Sequence, residues 1–431
     1  SLWAPRDAQS GSSDAVSAIE VVGSTWVAGL VAATPLTMTS LGDLSYAEIG
    51  KQLSTLAEAY DVKLPRELDA VAQDGSGKDA LLVLLDRGMV LHAAGRWQDS
   101  LSVLAQADAL AAQLDAVSVS EEAGALITNE RQRAYKGEDF EKLMISVLQA
   151  LNYAELGQDE EALVEVRQVN ERLQKMIVEE KKPYEQLAIA RYIGGVLYED
   201  QRDWDAAYID YAKALALSPE LGELAEPLLR LARRTGRQDE YERLLARFPG
   251  LPHAPLGPDE GQVVVVVEAG RSPEKEPADR RLNSQELIQV PVYRDRGWPG
   301  PAWVGADGAV PRQAVTVTSL ADVAKVHLNE RMGRMLAKQV AGVGVKAGLA
   351  AGAGALAKSE AVGALTFLVL NATNQPDLRS WLSLPAQFQV ARLRLPAGAH
   401  TLQIQAPGLS LAQPVEVKAG RVRVVVVRGY H

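Results

Sequence analysis

The feature that most constrains this chain is a pattern of small and bulky residues that returns after 34 positions. In QLAIARYIGGVLYEDQRDWDAAYIDYAKALALSPE, Gly195 is followed by Tyr198 at plus three. Ala207, Tyr211, Ala214 and Pro219 follow at plus 12, 16, 19 and 24. Small residues let two helices cross closely, bulky ones fill the space between them, and proline stops the second helix. The next unit keeps the spacing with Leu229, Gly236, Tyr241, Leu245 and Phe248.

Two earlier units match less completely: Gly88, Leu91, Gly95, Ser100, Leu104 and Ala107, then Ala150, Tyr153, Gly157, Ala162, Val166 and Val169. They lie 62 residues apart, and the second precedes the third by 45. The array is therefore interrupted by a 26-residue insert, Ala116 to Glu141. The spacing is that of the tetratricopeptide repeat, and four units exceed the roughly three that a stable stack needs. Ser45 to Ala72 also reads as helical. The expectation is an all-α tetratricopeptide-type solenoid over residues 45–250, preceded by an extended or disordered tether, 1–44.

The composition changes in FPGLPHAPLGPDEG, Phe248 to Gly261, where Pro and Gly predict a linker over 251–262. Residues 263–431 then read as an α+β, β-sandwich-like domain. VVVVVEAG, LIQVPVY and AVTVTSL have strand patterns, and Ala321 to Gly342 has a helical one. FQVARLRLPAGAHTLQIQAPG predicts a hairpin turning at Pro396-Ala397-Gly398, with two more strands around Lys418-Ala419-Gly420. Val340 to Leu370 places Gly342, Gly344, Gly348, Gly352 and Gly354 close together and predicts a glycine-rich helical hairpin. Lys346, Lys358 and Glu360 inside it argue against a membrane span.

Composition and motif searches bound the function. A net charge of -10 argues against a broad nucleic-acid surface. With no cysteine, thiolate nucleophiles, disulfides and Cys-ligated zinc are excluded. The polar opening SLWAPRDAQSGSSDA reads as a processed N-terminus, with any leader or lipidated Cys upstream of Ser1. Among the histidines, His92 sits in a repeat helix, His253 in the linker and His431 at the end. His327 falls on a helix and His400 opens a strand. No HExxH, GxSxG or acidic calcium loop accompanies them. Lys346 is followed by Ala347 and preceded by a helical stretch, so GVGVKAG is not a phosphate loop. The expectation is a protein without catalytic residues, cofactor or metal.

Two stretches are dense enough to be sites. AYKGEDFEK places Tyr135, Lys136, Glu138 and Asp139 around Gly137. The acids can cap the positive end of the helix that follows, and the same turn can hold a partner strand. PDLRSW places Arg379 and Trp381 beside Asp377. An Asp–Arg pair can lock a turn, while an Arg–Trp pair can form an interface hot spot. A third stretch, PVYRDRGWPGPAWVG, carries Trp298 and Trp303. These rings can stack on sugars, or the loop can simply cover the sheet.

YKGEDFEK with ALNYAELGQDEEALVEVRQVNERL resembles a family of tetratricopeptide-containing bacterial envelope lipoproteins, and PDLRSWLSLPAQFQVARLRLPAGAHT resembles its C-terminal signature. The resemblance covers roughly Leu81 to Thr401. It implies export, anchoring at the outer membrane and the company of other envelope proteins or lipoproteins. The expected role is a periplasmic, outer-membrane-associated scaffold, a subunit of a secretion, pilus or flagellar complex with protein partners or its own copies. The rival is a peptidoglycan- or glycan-binding protein, or an accessory of a cell-wall enzyme, using Trp298, Trp303 and Trp381.

Overall fold

The computed structural model describes residues 77–121, 134–178, 187–219, 221–251, 253–281, 287–330, 332 and 376–429. The expected tether, the helix at 45–72 and the glycine-rich hairpin lie outside the described residues.

Among the described residues the N-terminal region is helical. It comprises α1 (Ala80–Ala93), α2 (Trp97–Glu121), α3 (Asp139–Glu155), α4 (Asp159–Val178), α5 (Ala188–Asp200), α6 (Trp204–Leu217), α7 (Ala225–Arg234) and α8 (Gln238–Arg247). Each helix packs on the next, and α1, α3 and α5 also pack on one another in turn. The small residues of the sequence pattern sit at the crossings. A Cβ at Gly88 would lie 2.5 Å from the Leu104 side chain, and one at Gly195 would lie 2.4 Å from Tyr211. Any larger residue there forces the pair apart.

The tight turns inside the pairs need a left-handed residue. Gly95, Gly157 and Gly236 supply it at φ 69–71°, and the α5–α6 turn uses Arg202 at φ 64°. An arginine in this region carries roughly 1–2 kcal/mol of backbone strain. Its guanidinium lies over Gly420, on the turn before the last strand. Arg202→Gly should raise the unfolding free energy by up to about 1 kcal/mol, because strain relief exceeds the added chain entropy. A fall in the urea midpoint would instead mean that the Gly420 contact outweighs the strain.

Among the described residues the C-terminal region forms two four-stranded sheets and a two-stranded ribbon. Its strands are β1 (Glu260–Ala269), β2 (Glu274–Arg281), β3 (Leu287–Arg294), β4 (Trp303–Ala306), β5 (Arg312–Gln313) and β6 (Val315–Ser319). After a helical stretch at 320–330 come β7 (Gln387–Pro396), β8 (Gly398–Ala406), β9 (Leu409–Val417) and β10 (Val422–Gly429). The first sheet has the order β10-β1-β7-β6, with β1 and β10 parallel. The second has the order β5-β4-β8-β9.

Alternate residues of the first sheet enter two different cores. Val263, Val265, Val267, Ala391, Val425 and Val427 share one apolar cluster with Val304, Leu402, Ile404 and Val415 of the second sheet. Val264, Val266, Phe388, Val390, Val424 and Val426 belong to the cluster that runs through the helices. The first sheet is covered on both faces, which is why β1 and β10 read as unbroken valine runs.

The expected hairpin at Pro396-Ala397-Gly398 does not form. β7 pairs with β1 and β6, whereas β8 pairs with β4 and β9. The turn therefore carries the chain from one sheet to the other. This lets Leu393 and Leu395 face Leu402 and Ile404 across the core instead of lying beside them. Lys418-Ala419-Gly420 makes the return crossing from β9 to β10. The hairpin is β8–β9, closed by Pro407 and Gly408.

Two edges on one side of these sheets are guarded. The outward N–H of Val422 on edge strand β10 donates to Asp200 Oδ1 at 2.6 Å, and that of Val426 donates to Glu155 Oε1 at 2.5 Å. Glu155 and Asp200 end α3 and α5 and lie 45 residues apart, at equivalent repeat positions. On edge strand β9 the guard is a proline: Thr401 of β8 turns its N–H to Asp307, so its partner Pro414 faces outward with no N–H to offer. Filling or deleting the outward donors blunts strand addition.

Candidate functional site

The YKGED turn and the PDLRSW turn, about 240 residues apart in sequence, meet where α3 begins. Gly137 at φ 75° permits the turn, and the Tyr135 N–H donates to Lys78 O at 2.7 Å. Glu138 caps α3, and its N–H donates to Glu141 Oε2 at 2.7 Å, the returning half of a capping box. The same carboxylate accepts the Tyr135 hydroxyl, and its other oxygen accepts the Trp381 N–H at 2.7 Å. Trp381 Nε1 donates to Ser383 Oγ at 2.9 Å, and that hydroxyl donates to Asp86 Oδ1 at 2.6 Å.

Charges complete the cluster. Lys275 of β2 pairs with Glu138 and donates to Arg379 O at 2.9 Å. Arg379 holds Asp377 through two nitrogens at 2.9 and 2.7 Å, reaches Asp79 at 2.6 Å and stacks over the Tyr135 ring. Burial, with the Glu138 charge, raises the Glu141 carboxyl above its usual range against the opposing pull of Lys275. Burial pushes the Tyr135 hydroxyl well up as well. Burial would raise Asp377, but the Arg379 bonds outweigh it and hold it low.

This arrangement is a latch. The polar atoms of Tyr135, Glu141, Trp381 and Ser383 are spent within the cluster, and the Trp381–Glu141, Ser383–Asp86, Lys275–Glu138 and Arg379–Asp79 contacts tie the helical stack to the sheet region. The expectation that Trp381 anchors a partner from the surface is corrected: its ring is 0% exposed and packed in the core. Tyr135 and Glu138 are also buried, and Arg379 is half-buried. Lys136 and Asp139 lie half-buried on the same turn. Trp298 and Trp303 are elsewhere, 75% and 42% exposed.

Two further clusters bind the same two regions. Glu199 of α5 accepts Arg230 at 2.5 Å, Tyr211 at 2.8 Å and Arg392 of β7 at 2.9 Å. His92 of α1 is held between Asn152 at 2.6 Å and Glu268 of β1 at 3.0 Å. Asp86, Lys275, Ser383, Glu199 and Arg392 gave no signal in the sequence, since their partners are distant along the chain. The Glu155–Asp200 pair did carry one, an acid recurring at the same repeat position.

The surface that a helical stack of this kind presents along α1, α3 and α5 is therefore covered by the chain's own sheet. A cleft of about 310 Å³ between α1 and β9–β10, lined by His92, Trp97, Glu155 and Leu411, marks the rim of that junction.

No family model matches the chain. A 66-residue stretch, 15% of the chain, is 62% identical to the uncharacterized proteins MT0675 and Rv0647c of two Mycobacterium tuberculosis strains. The match spans only 12% of the length of those relatives. Among solved structures, MamA (AMB-1) aligns with 48% of this chain and 96% of its own at 15% identity and a TM-score of 0.27. BtubC from P. vanneervenii aligns with 51% of this chain and 82% of its own at 16% identity and a TM-score of 0.29. Scores this low do not establish a shared fold.

Proposed function

We propose that this chain is a non-catalytic protein–protein interaction scaffold of a bacterial envelope, periplasmic and associated with the outer membrane. The envelope placement and the choice of a secretion, pilus or flagellar assembly rest on the resemblance of the two motif stretches. The observation that carries the scaffold reading is the filled inner face of the helical stack. Seven side chains from the helices (Asp86, His92, Glu141, Glu155, Glu199, Asp200 and Glu138) bond groups of the sheet region, so the two regions form one rigid body. Partners then meet the outward helices rather than the covered inner face.

We infer an apolar ridge on those helices. Val164 of α4 and Ile209 of α6 are 47% and 43% exposed, and 45 residues separate them, the same repeat register as Glu155 and Asp200. Two large aliphatic residues repeated on adjacent outer helices suit an apolar partner surface. Beside them, Arg234 lies 4.2 Å over the Trp204 ring and Arg237 4.8 Å over Tyr208, the residue types that dominate interface energetics.

The test is a mild cross-linking pull-down from the native cell envelope with the wild type and the Val164→Asp, Ile209→Asp double variant. Wild type should recover envelope proteins in stoichiometric amounts, and the double variant should lose them while keeping its urea midpoint. Recovery of no protein by the wild type would contradict the scaffold. Full retention by the variant would contradict the ridge.

A further inference from the structure

The outer face of the second sheet is built unlike the rest of the surface. One row runs across all four strands: Gln313 on β5, Trp303 on β4, Gln405 on β8 and Ser410 on β9, each directly paired with the next. All four side chains are exposed. The inward neighbours of the row, Val304 and Ile404, are fully buried, so the indole is turned to solvent by strand alternation and not by disorder of its backbone. Gln403 and Thr401 continue the face along β8.

The row carries no charge. The nearest acids on this face stand toward its far end. Asp307 there is occupied by the Thr401 N–H at 2.9 Å and by His400, and Glu416 lies on the far end of β9. Among the described residues, the amides of Gln313 and Gln405 have no hydrogen-bond partner. They leave donors and acceptors free on both sides of one flat aromatic ring. Neighbouring strands put these groups about 4.8 Å apart.

We propose that this row is a binding face for a neutral, unbranched polysaccharide. A pyranose ring has an apolar C–H face that stacks on an indole, and its edge hydroxyls both donate and accept. Amide side chains flanking the ring satisfy both roles, which carboxylates or ammonium groups do not. An uncharged row fits an uncharged polymer and disfavours an anionic one in a chain of net charge -10. The loop bearing Trp298 reaches one end of this sheet. Gly300 packs on Pro407 of the β8–β9 turn, two residues from Gln405, which brings the loop to the same end of the sheet. Trp381, buried in the latch, takes no part.

The site is separate from the outer-helix ridge, and the experiment distinguishes them. Full-length protein is sedimented with microcrystalline cellulose, with chitin and with an anionic polymer, alginate beads. The wild type should bind at least one of the neutral polymers and not alginate. Trp303→Ala should weaken that binding about tenfold or more, and Gln405→Ala should weaken it less. The Val164→Asp, Ile209→Asp variant should bind the polymer as the wild type does. Both substituted positions on the face are solvent-exposed, so the fold is retained. Binding to neither neutral polymer, equal binding to alginate, or full binding by Trp303→Ala would overturn the proposal. So would loss of a protein partner on Trp303→Ala without any polymer binding, which would place a protein on this face.

Discussion

Trp381→Ala is expected to lower the unfolding free energy by about 3–5 kcal/mol, the range for removing a fully buried large aromatic. Two effects add. The indole is 0% exposed, so its loss leaves a cavity in the cluster shared by helices and sheet. Its N–H is the donor to Ser383 Oγ, which in turn serves Asp86. Its backbone N–H, which fixes one oxygen of Glu141, is kept by alanine, so the bond at the start of α3 remains. Trp381→Phe keeps most of the volume and loses only the indole donor, so it should cost nearer 1 kcal/mol. Equilibrium urea unfolding measures both. Because the latch spans both regions, Trp381→Ala should move one transition as a whole. A shift confined to the sheet signal would mean that the latch does not couple them.

Glu199→Gln is the second large effect. The substitution is nearly isosteric, but it leaves Arg230 and Arg392, 8% and 6% exposed, around a neutral amide. Breaking a buried ion cluster by removing one partner costs about 3–5 kcal/mol. The pH dependence follows from the same geometry. Burial by itself would raise this carboxyl, and the two arginines outweigh it and hold it at about 2 against an ordinary 4.5. A depressed acid contributes stability that is fully present above the unfolded value and is lost as pH falls toward the folded value. The wild type should therefore lose about 3 kcal/mol from this group between roughly pH 4.5 and 2. Glu199→Gln should lack that slope. Glu141 acts in the opposite sense: its carboxyl is raised, so its contribution declines as pH rises through the folded value. Unfolding at several pH values separates the two.

The helical half was legible in the sequence because its rules are local. Gly88 and Gly195 identify the crossings, and Gly95, Gly157 and Gly236 the turns, since each acts within its own pair of helices. The AYKGEDFEK turn was legible for the same reason, as a cap with an acid three residues on. The strands were visible as valine runs, but their partners were not. Pro396-Ala397-Gly398 has the residues of a hairpin turn, and only the pairing of β7 with β1 shows that it crosses between sheets. The latch illustrates the same limit. Asp377 and Arg379 announce a locked turn two residues apart, whereas Lys275 meets Glu138 across 137 residues and nothing local marks it. Trp381 looked like a surface anchor because an isolated Trp beside an Arg has the composition of one, and burial is decided by what packs over it.

The central claim is that the helical stack and the first sheet fold as one body, with the inner helical face permanently covered. Native-state hydrogen exchange of the full chain in low urea tests it most directly. We predict one opening free energy and one urea dependence for the amides of α5 around Ile193–Leu197 and of β1 around Val263–Val267, all buried in or beside the shared core. Exchange of β1 and β10 at a distinctly lower free energy, with α3 and α5 still protected, would contradict it. The sheet would then leave the helices while they remain folded, and the inner face would be open to a partner after all.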